Sequence, residues 1–410
     1  MKIAIIGAGA AGCFCAIELK RRLPDAIVDI YEAGNKPLAK VAITGGGRCN
    51  LTNSFESIDN LKEAYPRGDK LIRRVFSTFD NRDTWEWFEN EGVKLVLQDD
   101  HCVFPASQDA MQIVNLFLTR MRQLGVNILT RHKVDSVKSL MDEYDATVVT
   151  TGGYHPGTVI SGKTVIPGST GDLFEGLDLE IVSPVPSLFT FNLPSSPVRD
   201  LMGTVVEDVT VSLAGTRFKA SGPLLITHWG MSGPAVLKLS SYAARHLAEV
   251  RYDSTLLVNW CGGDDLDSVR SALQRNAVRN PLKLIINSHP DSIPSRLWTY
   301  LVTKSKIRED ARWAEIGPKG LNRLAETLSN DSYHIKGQSR FKEEFVTCGG
   351  VSLTNINNKT LECVKHPGLY FAGEVLDVDA ITGGFNLQAA WSTGFLAAVS
   401  IAKQYLTDRD

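Results

Sequence analysis

The run Lys2-Ile3-Ala4-Ile5-Ile6 leads directly into Gly7-x-Gly9-x-x-Gly12. No other feature narrows the possible folds as far. A short, wholly apolar run is what a strand buried on both faces of a parallel sheet requires. Gly7 permits the sharp turn, Gly9 lets backbone approach a pyrophosphate, and Gly12 allows close helix–sheet contact. Phe14 and Ile17 are spaced as on a helix, which is expected to end near Pro24. A second strand-like run, Ala26–Tyr31, leads to Glu32 and Ala33. An acid at that point accepts hydrogen bonds from both ribose hydroxyls and repels a 2′-phosphate, which disfavours NADP at this site. Strand, turn, helix, strand and acid in register predict a dinucleotide site. The motif alone does not separate FAD from NAD. A secretory leader fails on the four-residue apolar core and the three glycines that interrupt it.

Directly after this unit comes Lys40-Val-Ala-Ile-Thr44-Gly45-Gly46-Gly47-Arg48-Cys49-Asn50-Leu-Thr-Asn53. Three consecutive glycines let main chain lie against a flat or phosphorylated ligand. Thr44, Arg48 and Asn50 add donors, at a density a plain surface turn does not need. Further on, Ala146-Thr-Val-Val-Thr-Thr151-Gly152-Gly153 reads as a strand closing in a small-residue turn. Leu369-Tyr-Phe-Ala-Gly373-Glu374 reads as a strand closing on a carboxylate. A loop with Asp377, Asp379 and Gly383-Gly384 follows, then a small-residue helix from Asn386-Leu387-Gln388. The carboxyl ends of such strands are where open parallel sheets bind ligands. A positive helix start there suits negative charge on a bound ligand.

Several of these stretches closely resemble one family. They are Thr44-Gly-Gly-Gly-Arg-Cys-Asn-Leu-Thr-Asn, His101-Cys-Val-Phe-Pro-Ala-Ser, Thr227-His228-Trp-Gly-Met-Ser-Gly-Pro, Gly373-Glu-Val-Leu-Asp-Val-Asp and Gly383-Gly-Phe-Asn-Leu-Gln. The family comprises bacterial flavoproteins described as BaiN-like, YhiN-like or aminoacetone-oxidase-like FAD-dependent oxidoreductases. The resemblance runs through nearly the whole chain, with Thr44 where Ser is more usual and Ala380-Ile381 where glycine is more usual. It implies an α/β fold: a discontinuous Rossmann-like FAD-binding domain over 1–190 and 350–410, an inserted β-barrel-like domain over 191–263 and 331–349, and a helical subdomain over 264–330. It further implies FAD contacts from Gly7, Gly9, Ala10, Ala11, Gly12, Glu32, Ala33, Lys40, Thr44, Gly45, Gly46, Arg48, Cys49, Asn50, Thr151, Gly152, Gly153, Gly373, Glu374, Asp377, Gly384, Asn386, Leu387 and Gln388. Val134, on the strand expected to run from Gly125, would present its backbone to adenine.

The implied function is oxidoreduction of a small organic molecule by hydride transfer through FAD, with NADH or NADPH as donor. The alternatives are oxidation of a small amine by O2, an NAD-linked dehydrogenase, and an FAD-containing RNA-modification scaffold. No second G-x-G-x-x-G occurs in 190–345, so no separate nicotinamide domain is expected. His228 and Cys49 are the two candidates for catalytic side chains. Neither a metal-ligand cluster nor a nucleophile elbow is present in the sequence. Arg67, Lys70, Arg73 and Arg74 read as a solvated helix face, and Trp85 and Trp87 as packing residues. With 44 Lys+Arg against 46 Asp+Glu, the net charge of −2 offers no whole-chain field for nucleic acid. No apolar run is long enough for a membrane span. Seven cysteines with no C-x-x-C pair fit a reducing, cytoplasmic setting.

Overall fold

The apolar run at the start forms the strand Lys2–Ile6, the centre of a five-stranded parallel sheet. Ile3 stands opposite Val28 of Ile27–Glu32 on one side and opposite Ala146 of Ala146–Val149 on the other. Asn127–Thr130 and Leu369–Phe371 complete the two edges. Ile3–Ile6 are buried because helices leave no solvent on either face. From the central strand the chain winds first to one side and later to the other, so a crevice opens at the strands' carboxyl ends. The computed structural model describes residues 1–153, 173–337 and 346–407, with backbone alone for Val159–Ile160 and Lys163–Thr164.

The helix Ala10–Arg22 lies against this sheet. Phe14 packs among Phe79, Trp87, Phe117 and Trp391, with ring centroids 4.8–6.2 Å away. Trp87 is buried and donates its Nε1–H to Glu18 at 2.9 Å, in keeping with a packing role. The long C-terminal helix Phe385–Thr407 packs on the same helix, closely enough that a Cβ on Gly394 would sit 2.6 Å from the Ala11 carbonyl oxygen.

The strand expected from Gly125 to Val134 is shorter, Asn127–Thr130. Arg131 turns left-handed, φ +58°, and its N–H goes to the Gly34 carbonyl at 2.8 Å, which ends the ladder. Val134 therefore lies in a loop beyond the strand.

Two units result: residues 1–185 with 346–410, and residues 186–345. The chain leaves the first unit along Ile181–Ser187 and returns along Val346–Val351, and these two strands pair with each other. The second unit holds a six-stranded sheet in the order Phe191–Asn192, Gly230–Ser232, Lys219–Ile226, Val205–Leu213, Asp253–Asn259, Asp331–Lys336. Its end strands meet where Asn192 Nδ2 donates to the Lys336 carbonyl at 3.1 Å, making a nearly closed barrel. Asp331–Lys336 alternates buried and exposed positions, as the period of two demands. The helices Leu266–Arg279, Ser295–Lys304 and Gly317–Ser329 share one apolar core with that barrel, centred on the buried Trp260, Trp298 and Trp313.

The buried carboxylate of Asp331 ties helices to barrel. It accepts hydrogen bonds from Trp260 Nε1 at 3.1 Å, from the Tyr333 hydroxyl and from Lys304 Nζ. The Lys304 ammonium also lies 4.0 Å from the centre of the Tyr333 ring. Removing one member of a buried ion pair leaves an uncompensated charge, at a cost of about 3–5 kcal/mol. Asp331→Ala is expected to lower the stability of this unit by that amount. Urea unfolding followed by tryptophan fluorescence measures it.

Candidate functional site

The crevice at the sheet's carboxyl edge is shaped first by its glycines. Gly7 has φ +108°, and a Cβ there would meet the Thr150 carbonyl oxygen at 2.5 Å. A Cβ on Gly12 would lie 2.1 Å from the Gly7 carbonyl oxygen, so helix and turn touch backbone to backbone. Gly9 is different: no described residue lies within 4 Å of its missing side chain. It caps the helix Ala10–Arg22 in extended conformation with no side-chain hydrogen bond. Helix geometry leaves the first N–H groups, including those of Ala10, Ala11 and Gly12, without intrahelical acceptors. Open space, free N–H groups and a positive helix end together make an anion seat. Thr150, one residue before the predicted Thr151, secures the turn by donating to the Ile6 and Gly7 carbonyls at 3.0 and 2.8 Å.

Glu32 ends the second strand and faces this turn. One carboxylate oxygen accepts from Ala8 N–H at 2.9 Å and the other from Gly34 N–H at 2.6 Å, with Ala33 between. Each oxygen keeps a further lone pair for a ribose hydroxyl.

Across the central strand, the ends of Ala146–Val149 and Leu369–Phe371 converge on Glu374. Its Oε1 accepts from Thr347 N–H at 2.9 Å, and its Oε2 stands 3.4 Å from Lys40 Nζ. Gly153 is needed because a Cβ there would fall 2.2 Å from Thr347 Oγ1, and one on Gly373 2.9 Å from Ala11 Cβ. Gly152 turns with φ +78°. Asp377 follows, its N–H bonded to the Val351 carbonyl at 3.0 Å. The Thr151 hydroxyl is buried and has no hydrogen-bond partner among the described residues. A buried hydroxyl left without a partner in a crevice with a free helix start fits a polar ligand there.

The glycine loop forms the third wall. The helix Ala39–Gly47 breaks at Thr44, and Gly45 and Gly46 turn left-handed, φ +57° and +69°. Gly46 faces open space, whereas a Cβ on Gly45 would press on Asn50 N at 2.9 Å. The Thr44 hydroxyl donates to the Val41 carbonyl at 2.9 Å. Arg48 stacks on Phe104 with its guanidinium 4.3 Å from the ring centre and donates from Nε to the Gly45 carbonyl. Asn50 donates to the Thr52 carbonyl at 3.0 Å and accepts from Gly384 N–H at 3.2 Å. Asn53 Nδ2 donates to the Gly383 carbonyl at 3.1 Å, Thr52 bonds Gln388, and Trp391 Nε1 donates to the Leu51 carbonyl at 3.0 Å. Loop and C-terminal helix start are thus one assembly.

Several side chains in that assembly already have protein partners. Gln388 is fully buried between Thr52 and Ser392, and Asn386 clamps both the N–H and carbonyl of Ala380. The backbone N–H groups of Asn386 and Leu387 lie in the open first turn of the helix, whereas that of Gln388 is bonded to the Gly384 carbonyl at 3.0 Å. Thr150, Thr347, Asn53 and Tyr65, whose hydroxyl bonds the Phe385 carbonyl, were missed from sequence because each acts through a distant partner. Arg67 corrects the reading of a solvated basic face. It forms a two-point ion pair with the fully buried Asp379, while Lys70, Arg73 and Arg74 are exposed.

Neither catalytic candidate gains a reactive setting from these contacts. Cys49 is buried, and burial pushes its thiol up to about 12, so it is a neutral packing group near pH 7. His228 is exposed in a turn of the second unit, its ring 4.0 Å from that of Trp229 and its carbonyl accepting from Arg199 Nε at 2.7 Å. Among the described residues no group of three or more His, Cys, Asp or Glu is arranged to hold a metal, and no helix is long and apolar enough to cross a membrane. Iodoacetamide at pH 8 is expected to leave Cys49 unmodified in the native protein and to modify it after denaturation, as peptide mass analysis would show.

Comparison with known proteins agrees with this arrangement. The HI0933-like protein Rossmann domain profile matches residues 1–400. A ribosomal RNA dihydrouridine synthase of Escherichia coli (strain K12) is 30% identical over 413 residues, 96% of this chain and 96% of that protein. A 3-dehydro-bile acid delta(4,6)-reductase of Clostridium scindens is 28% identical, covering 98% of this chain and 99% of that one. A ribosomal RNA dihydrouridine synthase of Haemophilus influenzae is 28% identical, covering 98% of each. The chain belongs to the HI0933-like Rossmann family and is an FAD-dependent oxidoreductase.

Proposed function

We propose that the protein reduces a carbon–carbon double bond conjugated to a carbonyl, with NADH or NADPH as the source of electrons. Dihydrouridine is uridine saturated at a ring bond conjugated to a carbonyl, and a delta(4,6)-reductase of a 3-dehydro acid acts on bonds conjugated to a 3-oxo group. The shared chemistry is hydride addition to an electron-poor double bond. Bound FAD supplies that hydride. The carrying observation is the crevice itself, in which open Gly9, doubly held Glu32 and the unpartnered Thr151 hydroxyl line one edge of the sheet.

In this reading the N–H groups of Ala10–Gly12 hold the pyrophosphate and Glu32 holds the adenosine ribose. Glu374 and Thr151 take the polyol chain, and Gly45 and Gly46 let main chain lie flat against the ring. The start of the helix Phe385–Thr407, fixed by Asn50 and Asn53, offers N–H groups to the ring edge that gains negative charge on reduction.

A second reading, with a uridine of RNA as the acceptor, is favoured by how charge is distributed. Residues 186–345 carry 20 Lys+Arg against 16 Asp+Glu, a net +4, while the rest of the chain carries 24 against 30, a net −6. The whole-chain sum of −2 conceals a basic unit.

The test is the visible spectrum of the purified protein under anaerobic conditions. Flavin absorbance should bleach with NADH or NADPH and return on addition of a steroid dienone. Return only with uridine-containing RNA would select the second reading. Bleaching by a small amine and not by a nicotinamide would overturn both in favour of an oxidase. Glu32→Gln should weaken FAD retention about ten- to a hundredfold, since one charge-assisted acceptor is lost and an amide N–H now faces a backbone donor. Equilibrium dialysis reads this directly.

A further inference from the structure

Residues 268–290 contain four Lys and Arg and no Asp or Glu. Most of this stretch is the helix Leu266–Arg279 and the turn after it. Arg275, Arg279 and Lys283 are exposed, and none has an ion-pair or side-chain hydrogen-bond partner among the described residues. Helical spacing puts Arg275, Val278 and Arg279 on one face, opposite the buried Val269 and Leu273. Val278 and Leu282 are 81% and 72% exposed, more than any other large apolar residue described. A backbone bridge between Leu284 and Arg312 brings another exposed cation beside Lys283.

Ordinary helix physics accounts for part of this. Arg279, in the last turn, stabilises the negative helix end. It does not account for Arg275, for Lys283 beyond the helix, or for two apolar side chains in water between them. Nearby exposed cations of the same unit are paired, Arg270 with Asp267 and Arg308 with Asp310 and Glu315. Here Arg275, Arg279 and Lys283 stand unpaired on the unit that carries the positive charge, and the neighbouring Glu315 is engaged by the Arg312 N–H and by Arg308.

We infer that Arg275, Arg279 and Lys283, with Val278 and Leu282 between them, form a docking face for the phosphate backbone of structured RNA. The inference rests on the RNA reading above and deepens it by naming where the polyanion is held. Unpaired cations on a rigid helix neutralise successive phosphates and release counterions, giving affinity that falls steeply with salt. The apolar pair packs against sugar, whose faces carry no charge. The face binds without reading sequence; selection of the uridine belongs to the flavin site.

The experiment compares the full FAD-loaded protein with the triple variant R275Q/R279Q/K283Q, using a uridine-containing ribosomal RNA hairpin transcript in a salt-titrated mobility-shift assay. All three side chains are exposed and lie outside the FAD crevice, so FAD content and bleaching by NADH or NADPH should be unchanged. The expected result is at least tenfold weaker RNA binding, with the slope of log K against log salt flatter by about 2–3. Wild-type binding that the triple variant retains with the same slope would overturn the docking face and leave the RNA reading standing. Absence of wild-type binding at low salt would overturn the RNA reading and the face with it. If the variant lost binding to phosphatidylglycerol vesicles but kept its hold on RNA, the face would belong to a membrane surface and the inference would fall.

Discussion

Backbone contact on two sides holds the tip of the helix Ala10–Arg22. On the sheet side Gly12 leaves no room between the helix and the Gly7 carbonyl; on the other Gly394 brings the C-terminal helix down onto the Ala11 carbonyl, and Gly373 stops just short of Ala11. No side chain fits at any of the three positions without moving main chain. The anion seat, the reach of Glu32 to Ala8 and the approach of the Gly373-Glu374 turn all depend on this spacing. A methyl group at Gly12 would therefore act on the whole crevice and not at one contact.

The crevice is closed by segments far apart in the chain. Leu51–Asn53 is joined to the start of the last helix by three hydrogen bonds that span about 330–340 residues each. Asn50 adds a fourth through Gly384. Such contacts form only after long stretches of chain have been ordered, and their closure entropy is met by the aromatic cluster around Phe14 and Trp391. Tyr65, Arg67 and Asp379 reinforce the same junction from the α-helical side, with the ion pair wholly removed from water at the aspartate.

How much of this was legible in sequence depends on whether the governing rule is local. Gly7, Gly9, Gly12 and Glu32 obey a spacing rule set by one turn and one strand, and their positions could be read without a partner. Val205–Leu213 likewise shows as a strand, with apolar residues at 209, 211 and 213. The strand before Val134 was read too long because its end is set by the Arg131 N–H meeting Gly34, nearly a hundred residues away. Arg67 looked like one cation among four because Asp379 lies 312 positions further on. Gln388 and Asn386 were placed near the site by motif, while the partners that occupy their side chains were invisible. Net charge is coarse for a simpler reason: a sum over 410 residues cannot show that two units of opposite sign have been added.

The paired strands Ile181–Ser187 and Val346–Val351 have a consequence for how such a protein changes over time. Departure and return lie side by side in one short ladder, so the intervening 160 residues are an insertion hung from a single doorway. Adjacent ends let a domain be exchanged with little cost to its host. A lineage can therefore rebuild the inserted module, its barrel, helices and surface charge, while the nucleotide-binding frame is inherited intact.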